Sequence, residues 1–166
     1  MWNEAWPSRT LQNWERSLRD LEIVVRQPDR SWSEELTGHL ARFLVVRACG
    51  YLEQVVDECC RSYLKSKASP SAASFGSSWL GGGRNPAPDK LEALVKRFGS
   101  GLNEELTDLF DDNDHYLRGE IAFLVDRRNK IAHGLNENIG SRRALDLVTA
   151  ATTLADWFIL RLDPRV

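Results

Sequence analysis

Between Ser33 and Lys67 the residues Leu40, Phe43, Leu44, Ala48, Tyr51, Leu52, Val55, Val56, Cys59, Tyr63 and Leu64 recur at spacings of mostly three and four, with no proline among them. That period and length fit a single helix of about nine turns and nothing made of strands. A helix so long and so apolar along one stripe must bury that stripe against other helices. The rest of the chain supplies candidates. Ser8, behind Pro7, reads as the cap of a helix over 8–27 carrying Leu11, Trp14, Leu18, Leu21 and Val25, stopped by Gln27-Pro28. Shorter helices are expected from Asp89 to Phe98 and from Asn103 to Phe110, and longer ones from Tyr116 to Ala132 and from Ser141 to Leu162. Strand-like alternation is almost absent. The expected class is all-α, a helical bundle of five or six members, and 166 residues suit one domain over 1–166. Residues 68–88, rich in Ser, Gly, Ala and Pro, are expected to form a long loop after the central helix, whose Phe75, Trp79 and Leu80 pack down or meet a partner.

No uncharged run approaches the roughly 18 apolar residues that span a bilayer, and the opening MWNEAWPSRT has no signal-peptide pattern. A membrane role is excluded on this reading, and the cytoplasm is the expected location. Cys49, Cys59 and Cys60 have neither a disulfide framework nor CxxC spacing, so they read as small core residues. His39, His115 and His133 are far apart, so no metal site and no cofactor is expected. A net charge of -2 excludes a general polyanion binder, so any nucleic-acid contact needs a local patch. Residues 118–166 hold eight Lys or Arg against six acids, whereas the remainder is acidic on balance. Six acids and no base between Glu104 and Asp114 read as a solvated face.

One residue breaks the pattern. Leu117, Ile121, Leu124, Val125, Ala132 and Leu135 make an apolar stripe, and Arg128 falls within it, four after Leu124 and seven after Ile121. An unpaired guanidinium there would cost several kcal/mol, so Arg128 needs a carboxylate, an anionic ligand or a wet cleft. Glu53 is the matching anomaly on the central helix, spaced by three, four and seven from Val46, Cys49, Val56 and Cys60. The two can form a plain ion pair between helices, or a carboxylate that positions a working arginine. Asn129 and His133 share a face four residues apart, and Gly134 is a natural helix stop just after the histidine.

The run Arg128-Asn129-Lys130-Ile131-Ala132-His133-Gly134 resembles the R-N-x-x-A-H form of the R-x4-6-H motif of HEPN ribonucleases. GYLEQVVDECCRSYL at 50–64 and NPAPDKLEALVKRFG at 85–99 are similar to segments of the RiboL-PSP-HEPN branch, so the likeness covers about 34–162. The resemblance implies metal-independent cleavage of RNA by its own 2′-hydroxyl, with His133 exchanging protons and Arg128 holding phosphate oxygens. Asn129 would orient the imidazole or the sugar, Glu53 would support Arg128, and Arg127 and Lys130 would lie beside the RNA, although Arg127 by itself reads as solvated. It also implies a homodimer with a composite cleft, and a role as a toxin or antiviral defence effector with an antitoxin or defence-system partner. The tyrosine that follows the histidine in many HEPN toxins is replaced by Gly134, Leu135, Asn136 and Glu137, which argues against control by nucleotidylation. The alternative is a HEPN-fold binding or dimerisation module without catalysis.

Overall fold

The computed structural model describes residues 4–80, 85–135 and 138–166. Along the chain run α1 (Arg9–Arg26), α2 (Glu34–Lys67), α3 (Pro70–Ser78), α4 (Pro88–Val95), a 3₁₀ turn (Lys96–Phe98), α5 (Ser100–Ala132) and α6 (Ser141–Arg161). The all-α bundle is as expected, with no strand among the described residues. The expected cap at Ser8 forms, and Ser33 caps the central helix in the same way. The Ser8 hydroxyl accepts from the Leu11 N–H at 3.2 Å and the Ser33 hydroxyl from the Leu36 N–H at 3.1 Å, each satisfying a donor that the first turn leaves open.

The 34-residue α2 is the axis of the bundle, about 50 Å long. It packs most extensively on α6, and also on α1, α3 and α5, while α4 rests on α5. Leu44, Leu52, Val55 and Cys59 of α2 meet Leu147, Leu154 and Phe158 of α6 in one core, fully shielded from water. The N-terminal segment is tied to it by Trp6, whose indole N–H donates to the Ile159 carbonyl at 2.9 Å. All three cysteines are free and buried.

Three expectations change. Phe43, on the stripe of the central helix, is 53% exposed, and Leu135 at the end of the α5 stripe is exposed as well. The segment 68–88 is not all loop: Ser69 and Pro70 begin the nine-residue α3, because proline is suited to a first helical turn and the alanines and serines after it do not resist helix. Leu80 packs down, but Phe75 and Trp79 stay exposed at 68% and 59%. Residues 81–84 of that segment lie outside the described residues.

The helix α5 is interrupted where two helices were expected. Asp112 is extended, and Asn113, Asp114 and His115 have φ of 49°, 55° and 61°, the left-handed region that costs an L-residue about 1–2 kcal/mol. Asn and Asp tolerate it best, and the Asp112 carboxylate accepts from the Asn113 backbone and side-chain N–H groups at 2.9 and 3.1 Å. All six acids of the run from Glu104 to Asp114 are exposed, as a solvated face should be.

Candidate active site

The long helices α2 and α5 each place one charged residue in an otherwise apolar contact, and these two residues meet. Arg128 Nη2 donates to Glu53 Oε1 at 2.6 Å, and Arg128 Nη1 donates to Asn129 Oδ1 at 3.0 Å. The Glu53 side chain is 13% exposed and that of Arg128 30%, so the carboxylate lies inside and the guanidinium reaches toward water. The fork retains N–H donors beyond the two it uses. Burial raises the Glu53 pKa, the Arg128 charge pulls it down, and burial prevails. The buried Cys49 thiol, 3.9 Å from Glu53 Oε1, is pushed up to about 12, first by burial and then by the carboxylate beside it.

His133 closes the helix. Its backbone N–H bonds to the Asn129 carbonyl, while Gly134, at φ +75°, bonds to Ile131 and Leu135 to Lys130, each at 3.0 Å. This paired closure satisfies the last carbonyls and needs a residue at ease in the left-handed region, which is why glycine follows the histidine. The His133 side chain is exposed and has no hydrogen-bond or ion-pair partner among the described residues. Five residues after Arg128, it is about 140° around the helix and about 7.5 Å along it. Arg128, Asn129 and Glu53 are therefore brought together, and His133 closes the helix one turn beyond Asn129, on the face of Asn129 rather than of Arg128.

Arg127 is not the solvated residue expected. Its guanidinium lies 4.6 Å from the Phe123 ring centroid, its side chain is 24% exposed, and it pairs with Asp126 at 3.3 Å. Lys130 pairs with the same carboxylate at 3.0 Å. Asn136 and Glu137, where the tyrosine is missing from the sequence, lie outside the described residues. Of the charged pairs that the sequence did not suggest, the most buried acid is Glu120, 8% exposed, which accepts two hydrogen bonds from Arg143 at 2.6 and 2.8 Å. Its signal was the same as that of Arg128, a charge on the stripe three after Leu117 and four before Leu124.

Glu53 also borders a cavity of about 420 Å³ between α2 and α4, lined in addition by Val56, Asp57, Lys90, Leu91 and Arg97. Among the described residues no group of three or more His, Cys, Asp or Glu side chains is placed to hold a metal ion. No described helix is long and apolar enough to cross a membrane.

The sequence matches the RiboL-PSP-HEPN family over residues 9–159, which takes in α1 through nearly all of α6. The chain belongs to that family. The match is wider than the 34–162 expected, because α1 is included. No curated protein and no solved structure is matched by the sequence. Membership of RiboL-PSP-HEPN points to a nuclease-like or RNA-related role, and the Arg128–His133 run lies within the matched segment.

Proposed function

We propose that this HEPN protein is a metal-independent endoribonuclease, acting as a toxin or defence effector. The observation that carries the reading is the division of labour on one helix end: a guanidinium pinned by a buried carboxylate, with donors to spare, and an exposed imidazole unencumbered by any described partner. The RNA 2′-oxygen attacks the adjacent phosphorus and loses its proton to a base. The O2′–P bond forms, the P–O5′ bond breaks, and the leaving 5′-oxygen takes up a proton. An imidazole titrates in the range where it serves as base or acid, and a guanidinium stabilises charge growing on the non-bridging oxygens. The products are a 2′,3′-cyclic phosphate and a 5′-hydroxyl, and cleavage persists in EDTA.

The site is proposed to be shared between two copies of the chain. Arg128 and His133 lie about 140° apart on their own helix, and a two-fold axis near the helix end would set each beside its counterpart in the second copy. Mixing chains tests this directly. An Arg128→Ala chain and a His133→Ala chain are each inactive, yet their heterodimer keeps one intact site, and random exchange restores about a quarter of the activity. Recovery of nothing from a mixture that sedimentation shows to be dimeric defeats the shared site. Full cleavage by a folded His133→Ala chain defeats the enzyme itself.

A second reading is favoured by one specific observation, that Arg128 is already bonded to Glu53 and Asn129. On it the pair locks α2 to α5 in a binding or dimerisation module. Salt-sensitive RNA binding without cleavage by the intact chain decides for it.

A further inference from the structure

The helix α3 and the turn after α4 leave a second cavity, of about 460 Å³, between Leu64, Phe75, Trp79, Leu94, Arg97 and Phe98. Its volume is in the range of pockets that take small ligands. Its walls are aromatic. Phe75 and Trp79 meet edge to face with ring centroids 6.2 Å apart, and Phe98 is held edge-on by Tyr63 at 5.9 Å. Phe75 and Trp79 nevertheless keep most of their surface in water.

The position of this cavity says what it is for. Leu94 and Arg97 line it and also line the cavity bordered by Glu53, so the two cavities adjoin, one bounded by the aromatic wall and the other by the partner of Arg128. Arg97 stands at the junction, exposed, with no ion pair or hydrogen bond among the described residues. Lys90, further along, has only a surface pairing with Asp89 at 3.7 Å. Of the two acids in the adjoining cavity, Glu53 is paired to Arg128 and Asp57 to Arg61 at 3.6 Å. An aromatic platform, then an uncommitted cation, then a candidate phosphate site is the order that a nucleotide strand requires: base, phosphate, phosphate.

We propose that the α3–α4 cavity is a base-binding subsite for an unpaired nucleotide of the RNA whose scissile phosphate lies at Arg128. This rests on the ribonuclease reading and narrows its substrate to single-stranded RNA, because a base must leave its duplex stack to lie on Trp79. Arg97 holds the phosphate between the base and the cleavage point.

The test is binding, measured in the His133→Ala chain so that no cleavage is needed, by anisotropy of a short labelled single-stranded RNA. Trp79→Ala is expected to weaken binding between about 5-fold and 150-fold, with Trp79→Phe restoring most of it. Arg97→Ala is expected to lower the slope of log affinity against log salt by ~0.7, one phosphate contact. An abasic residue, moved along the RNA, should reveal one position whose loss matters to the Trp79 chain and not to Trp79→Ala. All three aromatic and basic variants alter exposed side chains, and circular dichroism melting checks that they fold.

Unchanged affinity in Trp79→Ala and Arg97→Ala, beside an intact chain that binds and cleaves RNA, overturns the subsite and leaves the nuclease standing. The same result with loss of self-association in Trp79→Ala makes the cavity a contact between protein chains, and also overturns it. Equal binding of duplex and single strand overturns the narrowing to unpaired RNA. An intact chain that neither binds nor cleaves RNA removes the nuclease reading and the subsite together.

Discussion

Arg128→Ala is expected to destabilise the protein far more at pH 7 than at pH 4, and at pH 7 more than Glu53→Gln does. Removing one partner of a fully buried ion pair costs about 3–5 kcal/mol, because the other charge is left without compensation. Here the two partners are not equally buried, at 13% for Glu53 and 30% for Arg128. Losing the arginine strands the deeper charge, so about 2–3 kcal/mol is expected. Losing the carboxylate leaves a guanidinium that already reaches water and an amide that still accepts a hydrogen bond, so about 1 kcal/mol is expected.

The pH dependence follows from the direction of the Glu53 shift. Burial already holds its pKa above the ordinary value, and Arg128 is the group that opposes burial. Without Arg128 the folded-state pKa rises further. A group whose pKa is raised on folding disfavours the folded state above that pKa and ceases to do so below its unfolded value, about 4.3 for glutamate. The deficit of Arg128→Ala is thus full at neutral pH and shrinks through the window between those two values. Asp156, raised by burial, and Asp163, lowered by its bond to Arg165, titrate in parent and variant alike and cancel in the difference. Urea unfolding followed by far-ultraviolet circular dichroism at the two pH values measures it. An equal loss at pH 7 and pH 4 would refute the account, as would Glu53→Gln proving the costlier change at pH 7.

Three further outcomes are expected. Gly134→Ala should cost about 1–2 kcal/mol in thermal or urea unfolding, a purely conformational penalty at φ +75°, since a Cβ there meets nothing within 4 Å; no loss would mean that the α5 closure is not formed in solution. Arg143→Ala strands Glu120, which is 8% exposed, and should cost about 2–3 kcal/mol in urea while RNA cleavage per folded molecule stays unchanged; a matching loss of cleavage would draw that pair into the site. The three buried cysteines, with the Cys49 thiol near 12, should resist a thiol reagent at pH 8 until the chain is unfolded, and prompt labelling of the native protein would contradict that burial.

Much of this architecture is legible in the sequence because helices announce themselves locally. Ser8 caps as read, and Ser33 begins the central helix where expected, since a cap depends on a hydroxyl and a donor three residues away. The Glu53–Arg128 contact could be anticipated across 75 residues because each side chain violated an apolar stripe, and two violations in a bundle tend to satisfy each other. Phe43, Phe75 and Trp79 were less legible for the converse reason. Whether an apolar side chain is covered depends on where other helices stop, and no local period carries that information. The position of Arg127 over Phe123 is of the same kind: a cation on a ring looks, in sequence, like any charge on a surface.

The Glu53–Arg128 pair poses a constraint that any phosphate at this site must meet. A carboxylate at 2.6 Å offsets most of the guanidinium's charge, so an arriving phosphate competes with Glu53 for one cation in a partly desolvated space. Two anions close together raise one another's proton affinity. Burial holds the Glu53 pKa above its ordinary value and Arg128 opposes that shift, so on the proposed reading an arriving phosphate and Glu53 compete for the same guanidinium. A plain lock between two helices has no use for such a shift, because a carboxylate held easily ionised makes the stronger bridge. Burying Glu53 beside Cys49 and Val56 therefore costs the pair part of its strength as a strut, and the proposed nuclease reading is the one that gives Arg128 a second anion to serve.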